Sequence, residues 1–382
     1  MDCRCPFFPG VTSRVSVCKN VGFRRLYRKE KYDKIVHFSL DIITKMSYLQ
    51  AMQHTRPDGK PHVVHIGMGG WDLHPFNTYF YPQKSRGNFR KLEFYSQFFD
   101  CVEINSTFYN PSLSALNTRR WLSDVSANKN FIFTAKLFRG FTHTYDATKA
   151  DVISVHRMLD PMHERGMLGG LVLQFPYLFT NRHENRLYLL QLSRLFSRYP
   201  LFLEVRHRSW YSPLMYNFFQ ENRLHLINVD LPQIKQHVPL TSLSWCGAGY
   251  FRMMGRNSES WKNPWRLEGD GAHVVSDRYH YYYSQRELEQ LTALIEKVRE
   301  IAESTFVIFH NDPEANSLVN GFQLRHLVKR KQRVLVPQNF LRSFPALKPI
   351  SSSVNINHPL FDHPAQPSGH PLEYHDEDLR QD

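Results

Sequence analysis

The stretch that decides the fold is Cys101-Val102-Glu103-Ile104-Asn105-Ser106-Thr107-Phe108-Tyr109. It begins as a short apolar run with β-branched residues and then becomes polar and aromatic, with Pro111 just beyond. Alternation along a strand puts Glu103 and Asn105 on one face and Val102 and Ile104 on the other. A carboxylate beside an amide at the end of a strand suits a functional site better than a packed core.

From His62 onward, short apolar runs alternate with segments of helical periodicity, and eight of these runs end in polar residues. Besides the stretch above, the predicted strands are Val63–Ile66, Phe131–Lys136, Leu171–Pro176, Leu201–Arg206, Leu226–Asp230, Tyr250–Met254 and Phe306–Phe309. Strand and helix alternating in this way predict parallel strands, and eight such units predict a TIM-like (β/α)8 barrel. An open doubly wound sheet is the main alternative, but Gly67-Met68-Gly69-Gly70 does not match its phosphate-binding fingerprint.

Two helix starts show a capping-box pattern. Asn181 with Glu184 predicts the start of a helix that reaches about Tyr199, and Ser284 with Glu287 predicts the start of another. In the second helix, Leu288, Leu291, Ile295, Val298 and Ala302 fit one apolar face.

Three regions of different composition divide the 382 residues. Residues 1–60 show no sustained periodicity and are predicted to form an N-terminal extension that is poorly ordered or partly helical. Residues 61–344 hold the barrel units, and residues 345–382 form a Pro/Ser/His-rich tail that is predicted to be disordered. The basic start of the chain bears a faint likeness to an organellar presequence but lacks its amphipathic repeat.

Composition narrows the class of protein. A hydrophobic content of 42% with 14% aromatic residues is enough for a large core. No apolar run approaches the roughly 20 residues of a membrane helix, so no membrane association is predicted. The five cysteines show no metal-type spacing, which indicates a reducing compartment and a cytoplasmic protein.

The net charge of +13 is unevenly spread. Residues 1–60 hold 12 Lys/Arg against 5 Asp/Glu, residues 61–344 hold 34 against 24, and residues 345–382 hold 2 against 6. The barrel region is therefore basic in its own right. This favours a small anionic or sugar-like ligand, or nucleic acid, as the partner, and no obligate protein partner is predicted.

The candidate site consists of the polar residues that close the predicted strands, because β/α barrels place their sites at the carboxyl ends of the strands. The predicted catalytic residues are Glu103, Glu204 and Lys136. The predicted substrate-binding residues are Trp71, Asn105, Tyr109, His143, Gln174, Arg206, His207, Asp230, Arg252, Asn311 and Asp312. The aromatic residues at strand ends would either stack on a sugar or a base, or cover the barrel mouth.

Glu103 and Glu204 are the strongest candidates, because each is flanked on both sides by apolar residues. A buried carboxylate needs a partner or a shifted pKa, and Lys136 and Arg206 are the obvious partners. The pair suits acid–base chemistry, or else forms a structural salt-bridge layer. Lys136 would clamp a phosphate or, if desolvated, act as a nucleophilic amine. Arg206 and Arg252 suit recognition of phosphate or carboxylate, or neutralise the acidic residues.

Metal and cofactor motifs are weak. Residues of the types that bind divalent ions are present, namely Glu103, His143, Glu204, His207, Asp230, His310 and Asp312. The spacing His-x-His or His-Glu-x-x-His is absent, and Lys136, Arg206 and Arg252 would crowd the same mouth with positive charge. No cofactor is predicted, and a divalent metal stays an open alternative. The sequence also lacks a Gly-x-Ser-x-Gly motif and a P-loop.

Several motifs, in their order along the chain, resemble the YecE-like family, which is the domain-of-unknown-function family seventy-two. They are Ile66–Trp71, Phe80–Pro82, Val102–Tyr109, Phe133–Lys136, Leu173–Pro176, Glu204–His207, Tyr250–Arg252 and Phe309–Asp312. The resemblance covers residues 62–331 and implies a TIM-like β/α barrel. The activity of that family is unassigned.

Three departures from the family pattern bear on the site. The family usually has Gly-Thr-Ser-Gly-Trp at the first motif, where this chain has Met68 and Gly69 in place of the two hydroxyl residues. Met254 stands where a histidine is common, and His310 stands where an asparagine is common. A site that uses those side chains would therefore differ in this protein.

Two functions fit these observations. The first is a barrel enzyme, such as a hydrolase, lyase or isomerase, that acts on a phosphorylated, sugar-containing or nucleic-acid substrate. The second is a non-catalytic barrel that binds nucleic acid or another anionic ligand.

Overall fold

The computed structural model describes residues 62–354, with gaps at 84–88, 112, 114, 235–236, 246, 263–264 and 269–272. The predicted N-terminal extension, its basic start and most of the predicted C-terminal tail lie outside the described residues. The strands of the described part are β1 (Val63–Met68), β2 (Cys101–Ile104), β3 (Ile132–Lys136), β4 (Leu168–Gln174), β5 (Leu201–Glu204), β6 (Leu224–Leu226), β7 (Asn228–Asp230), β8 (Ala248–Met253), β9 (Trp265–Glu268), β10 (His273–Ser276), β11 (Ser304–Phe309), β12 (Val334–Pro337) and β13 (Ser351–Val354).

The barrel wall is a sheet in which neighbouring strands are parallel, in the order β6-β5-β4-β3-β2-β1-β11-β8-β7. β6 and β7 are two halves of one segment that is interrupted only at Ile227. The first half pairs with β5 and the second half with β8. The two ends of the order therefore meet, which closes the sheet into a barrel with eight strand positions. The predicted TIM-like (β/α)8 barrel is confirmed, and the open doubly wound sheet was the wrong alternative.

Helices follow most barrel strands and cover the outside of the sheet. They are α1 (His74–Tyr79), α2 (Lys91–Ser96), α3 (Ser106–Tyr109), α4 (Ala115–Asp124), α5 (Arg139–Thr142), α6 (Lys149–Glu164), α7 (His183–Leu195), α8 (Pro213–Glu221), α9 (Ser258–Lys262), α10 (Gln285–Arg299), α11 (Asn316–Val328) and α12 (Gln338–Ser343). Short 3-10 helices lie at Arg208–Trp210, Pro313–Ala315 and Pro345–Ile350. No described helix is long and apolar enough to cross a membrane.

One of the two predicted capping boxes forms. Ser284 and Glu287 exchange side-chain and backbone hydrogen bonds at the start of α10. The box predicted at Asn181 is wrong, because α7 begins after Arg182 without a side-chain cap. The side chain of Asn181 instead donates to the backbone carbonyl of Ser209 and accepts a hydrogen bond from Arg186. A tertiary contact has replaced the local one.

The barrel strands are buried on both faces, and this produces two separate cores. Alternate residues face the barrel interior, where Val172, Phe202, Val229, Tyr250 and Phe306 pack together. The residues between them face outward and pack under the helices, as Val102, Leu173, Met253 and Phe309 do. Strand parity therefore decides which polar side chains reach the interior of the barrel and which lie beneath the helices.

Smaller elements complete the described chain. β9 and β10 form an antiparallel pair between β8 and α10. β12 and β13 pair in parallel after α11, so the chain is still structured where the predicted tail begins at residue 345. The remainder of that tail, residues 355–382, lies beyond the described part, and its predicted disorder stays a prediction.

Replacing Ser284 by Ala should lower the free energy of unfolding by about 1 kcal/mol, because α10 loses the cap of its first turn. Ser193 is a matched control, since its hydroxyl lies inside α7 and bonds only the Leu190 carbonyl. Ser193→Ala should change the stability by less than about 0.5 kcal/mol. Urea unfolding curves measure both values, and equal losses would contradict the capping role.

Candidate functional site

The barrel mouth, where the strands end, receives the side chains that face the interior. Thr134 shows the inward direction on β3, because its hydroxyl lies 2.9 Å from that of Tyr250 across the barrel. Glu103 is in register with Thr134 on the neighbouring strand and therefore faces the same way. Lys136 follows Thr134 by two residues, and Arg252 follows Tyr250 by two. The alternation of side chains thus turns Glu103, Lys136 and Arg252 toward the barrel interior.

The centre of the mouth is occupied by a buried guanidinium. Arg252 donates from Nη2 to Glu103 Oε1 at 2.7 Å and from Nη1 to Glu204 Oε2. Tyr250 donates to the other oxygen of Glu103 at 2.7 Å, and Arg206 Nε donates to the other oxygen of Glu204 at 2.8 Å. We call Glu103, Glu204, Arg206 and Arg252 the ion network. Each of its carboxylate oxygens accepts a hydrogen bond, and neither glutamate has exposed surface.

The pairing keeps both carboxyl groups ionised. Burial alone would raise the pKa of Glu103, but the charge of Arg252, helped by the hydrogen bond from Tyr250, outweighs it and holds this pKa well below its usual range. Burial also acts against ionised Glu204, yet Arg252 and Arg206 lower its pKa to about 2. The two carboxylates raise the pKa of Arg252 in turn. These groups do not exchange protons near neutral pH, which argues against the predicted acid–base role of the two glutamates.

His310 lies against the ion network as a neutral ring. Its Nε2 accepts a hydrogen bond from Arg252 Nε at 3.2 Å and lies 3.4 Å from Glu103 Oε1. Because Arg252 stays protonated, this nitrogen carries the lone pair and the ring proton belongs on Nδ1. Burial and Arg252 lower the pKa of His310, so the contact with Glu103 is not an ion pair.

Lys136 is the cation of the mouth that is not locked into an ion pair. Its Nζ lies 3.6 Å from the centre of the Phe108 ring and makes no hydrogen bond or ion pair with the residues that the structure describes. Burial, followed by the nearby Arg252 and Arg206, lowers the pKa of Lys136 to about 7. A partly protonated amine therefore stands at the mouth at neutral pH.

The position of Phe108 follows from local hydrogen bonds. Thr107 Oγ1 lies 2.9 Å from the carbonyl oxygen of Ile104 and 2.5 Å from that of Lys136. These contacts fasten α3 to the end of β3 and place the Phe108 ring beneath the Lys136 amine. The rings of Tyr109 and His143 each meet Phe108 edge to face at 4.9 Å.

Other predicted binding residues surround this centre. Asn105 donates to the backbone carbonyl of Gly69 at 2.7 Å, and Gln174 is in register with Glu204 and buried. His207 accepts a hydrogen bond from the backbone amide of Ser209 at 3.1 Å. Trp71 is farther out and packs edge to face on Trp121 of α4, with 5.4 Å between ring centres.

Two predicted binding residues, Asp230 and Asn311, do not join the mouth. Asp230 is in register with the outward-facing Met253 and is held by Arg256 Nε at 2.8 and 3.0 Å. Asn311 donates to the backbone carbonyl of Tyr281 at 2.8 Å and to Asn320 of α11 at 2.9 Å. Both side chains face outward from the barrel, so they connect the strands to Arg256, to the Tyr281 segment and to α11.

Asp312 is half-buried at the end of β11, and burial raises its pKa to about 7. Among the described residues, its Oδ1 is buried without a hydrogen-bond partner. No group of three or more His, Cys, Asp or Glu side chains in the described part of the chain is arranged to hold a metal ion. Of the residues considered as metal ligands, Glu103 and Glu204 belong to the ion network, and Asp230 forms an outward-facing ion pair with Arg256.

The sequence interpretation missed Tyr250 and Arg256. Tyr250 precedes Arg252 by two residues and is the inner neighbour of Glu103, so parity was the signal that would have found it. Arg256 follows β8 and neutralises Asp230, a role that the interpretation had offered to Arg206 or Arg252.

The family model described as "Protein of unknown function DUF72" matches residues 65–343. The chain belongs to the DUF72 family. This confirms the resemblance to the YecE-like motifs.

Relatives of the DUF72 chain agree with its fold. The UPF0759 protein YunF of Bacillus subtilis (strain 168) is 28% identical over 289 residues, which are 72% of this chain and 98% of YunF. The crystal structure of a DUF72 family protein of Thermotoga maritima MSB8 matches with a TM-score of 0.60 and 26% identity, over 70% of this chain and all of that one. A DUF72 family protein of Enterococcus faecalis V583 has a TM-score of 0.59 and 24% identity, over 70% and 96% of the two chains.

Two departures from the DUF72 pattern are in direct contact. A Cβ atom at Gly69 would lie 2.3 Å from Nδ1 of His310 and 3.0 Å from Nδ2 of Asn105. His310 therefore occupies space that any side chain at position 69 would need. Gly69 and His310, which is larger than the usual asparagine, therefore represent one change in packing rather than two independent losses of polar groups.

Removing the guanidinium with Arg252→Met should lower the free energy of unfolding by about 3–5 kcal/mol at pH 7, because it leaves Glu103 buried without its cation and Glu204 paired with Arg206 alone. Arg198→Met is the control, since Arg198 is exposed and pairs with Asp160 at the surface. That change should cost less than about 1 kcal/mol.

The pH dependence of the same variant gives a second readout. In the unaltered protein the folded pKa of Glu204 is about 2 against an ordinary 4.5. The network is therefore fully stabilising above pH 4.5 and loses strength as the pH falls toward 2. In Arg252→Met, one proton bound to Glu103 or His310 relieves the uncompensated charge. The loss in free energy of unfolding relative to the unaltered protein should therefore become smaller between pH 7 and pH 5. A loss in free energy of unfolding that stays constant over this range would contradict the role of Arg252 as the cation of the buried carboxylates.

The contact between positions 69 and 310 predicts coupled substitutions. Gly69→Ala should cost about 1–3 kcal/mol, because the new methyl group collides with the His310 ring. In a His310→Asn background the same change should cost about 1 kcal/mol or less, since the ring is gone. Denaturant unfolding of the four proteins gives the coupling energy, and a cost that is identical in both backgrounds would refute the collision.

Proposed function

We propose that the chain is an enzyme that binds a small anionic substrate, phosphorylated or sugar-containing, at the barrel mouth and exchanges a proton with it through Lys136. The observation that supports this proposal is the state of the Lys136 amine. It is half-buried, lies on the Phe108 ring, and has a pKa of about 7. An acid–base group is most effective when its pKa is close to the operating pH.

The two glutamates act in this proposal as positioning residues. Their oxygens are all engaged by Arg252, Arg206 and Tyr250, so they are poor proton carriers. They hold Arg252 in place, and their negative charge offsets the two arginines that disfavour protonated Lys136. Of the three predicted catalytic residues, Glu103, Glu204 and Lys136, we therefore propose only Lys136 as catalytic.

The charge of the mouth favours an anionic ligand. Lys136, Arg206 and Arg252 provide three cations when the lysine is protonated, against the two carboxylates, and His310 is neutral. A bound anion would cancel the remaining charge and would draw a proton onto Lys136. Asn105, Tyr109, His143, Gln174, Arg206 and His207 remain our proposed substrate-binding residues.

A non-catalytic binding function is the second candidate, and Trp261 of α9 favours it. The guanidinium groups of Arg206 and Arg278 lie 5.7 and 5.5 Å from the centre of its ring. An aromatic ring flanked by two arginines can bind a nucleotide base and a phosphate together. Binding of this kind weakens steeply with salt and needs no turnover.

Lys136→Met should reduce turnover of a responsive substrate by on the order of 10²–10⁴-fold, because the proton-exchanging amine is lost. Lys136→Arg should keep anion binding, since it keeps a cation, but should lose turnover. A panel of phosphorylated sugars, scored first by thermal shift and then by product formation, provides the measurement. Lys149→Met is the control, because Lys149 is exposed at the start of α6.

Full turnover by Lys136→Met would overturn the proposed enzyme mechanism. Salt-sensitive binding of a single-stranded oligonucleotide without any turnover in the panel, lost in Trp261→Ala, would favour the binding function instead.

A further inference from the structure

We propose that Lys136 forms a covalent imine with an aldehyde or ketone group of the substrate. This inference rests on the proposed function and narrows its substrate to an anion that also carries a carbonyl group. It assigns to the lysine a bond to carbon in addition to proton exchange.

The surroundings of the amine fix its position beside an apolar ring and leave it outside the ion pairs of the mouth. Nζ lies on the face of Phe108, a ring that is itself only 7% exposed, and Thr107 fixes that ring through the Lys136 carbonyl. The carboxylates that would ordinarily bind a lysine, Glu103 and Glu204, have their oxygens occupied by other donors. The amine therefore points to the mouth without a resident acceptor among the described residues.

The charges around Lys136 suit both the amine and the imine that it would form. Burial disfavours the ammonium ion most, and Arg252 on β8 and Arg206 after β5 add to it, so the pKa of Lys136 is lowered to about 7. The carboxylates of Glu103 on β2 and Glu204 on β5 attract positive charge at the same atom. The rings of His143 and Tyr109 contact the Phe108 ring on which the amine lies.

The step balances without any further reagent. The lone pair of neutral Nζ attacks the carbonyl carbon, a nitrogen–carbon bond forms, and the carbonyl oxygen takes a proton to give a carbinolamine. The hydroxyl then takes a second proton and leaves as water, while the nitrogen keeps a positive charge as a protonated imine. One of the two protons comes from the attacking amine and the other from solvent. The cationic product then draws electrons from the neighbouring carbon, which is the chemistry of Schiff-base lyases and isomerases.

Reductive trapping tests the inference on the full chain. The protein is incubated at pH 7 with glyceraldehyde 3-phosphate and cyanoborohydride, and the modified lysines are located by peptide mass spectrometry. Lys136 should be labelled on the order of 10²-fold faster than the exposed Lys149 and Lys297, because an ordinary lysine holds very little neutral amine at this pH. Lys136→Arg should show no adduct at that position while the two exposed lysines react as before.

Glycerol 3-phosphate separates this inference from the proposed function, because it has the same phosphate and no carbonyl group. Its binding is measured by calorimetry with the unaltered protein and with Lys136→Met. No preference for Lys136 in trapping, together with Lys136-dependent binding of glycerol 3-phosphate, would overturn the imine and leave the proposed anion site intact. Absence of both would overturn both proposals. Selective trapping at Lys136 would support the imine. The rate of trapping at Lys136 should increase as the pH is raised through 7, because more of the amine is then neutral.

Discussion

The guanidinium of Arg252 holds together two carboxylates that have no exposed surface. Glu103, Glu204 and Arg252 come from β2, β5 and β8, which are not neighbours in the sheet, so their contact spans the barrel interior. Such a contact requires a closed barrel whose strands bring inward-facing residues to the same height. Loss of this guanidinium would leave Glu103 buried without its cation and Glu204 paired with Arg206 alone, and the mouth therefore depends on Arg252.

The same pairing determines which group is left for chemistry. Arg252 uses Nη1, Nη2 and Nε on Glu204, Glu103 and His310, and the carboxylates stay ionised as a consequence. Burial and the charges of the two arginines lower the pKa of Lys136, while the two carboxylates act in the opposite direction, and none of these groups binds its amine directly. The paired carboxylates and guanidinium groups thus surround one amine whose pKa is lowered to about 7.

The fold was predictable because each strand and helix has its own local periodicity, and the family motifs lie at the strand ends. The site was predictable only in part. Glu103 and Asp230 both stand between apolar neighbours, yet only Glu103 faces the interior. Both faces of a barrel strand are buried, so apolar flanks cannot identify the inward one. The glutamates pair with Arg252 rather than with Lys136 because of where the side chains lie along the barrel axis on strands that are not neighbours. A sequence does not give these positions.

The departures from the DUF72 pattern are not equivalent once the geometry is considered. Met68 is in register with Phe309 and faces the outer core, so its missing hydroxyl does not affect the mouth. Gly69 and His310 share one volume, and Met254 belongs to the interior cluster beyond Arg252. These changes lie on the side formed by β1, β8 and β11, whereas Lys136 lies on β3, four positions from β8 around the barrel. The departures therefore concern the wall of the mouth beside Arg252 and His310 and not the strand that carries Lys136.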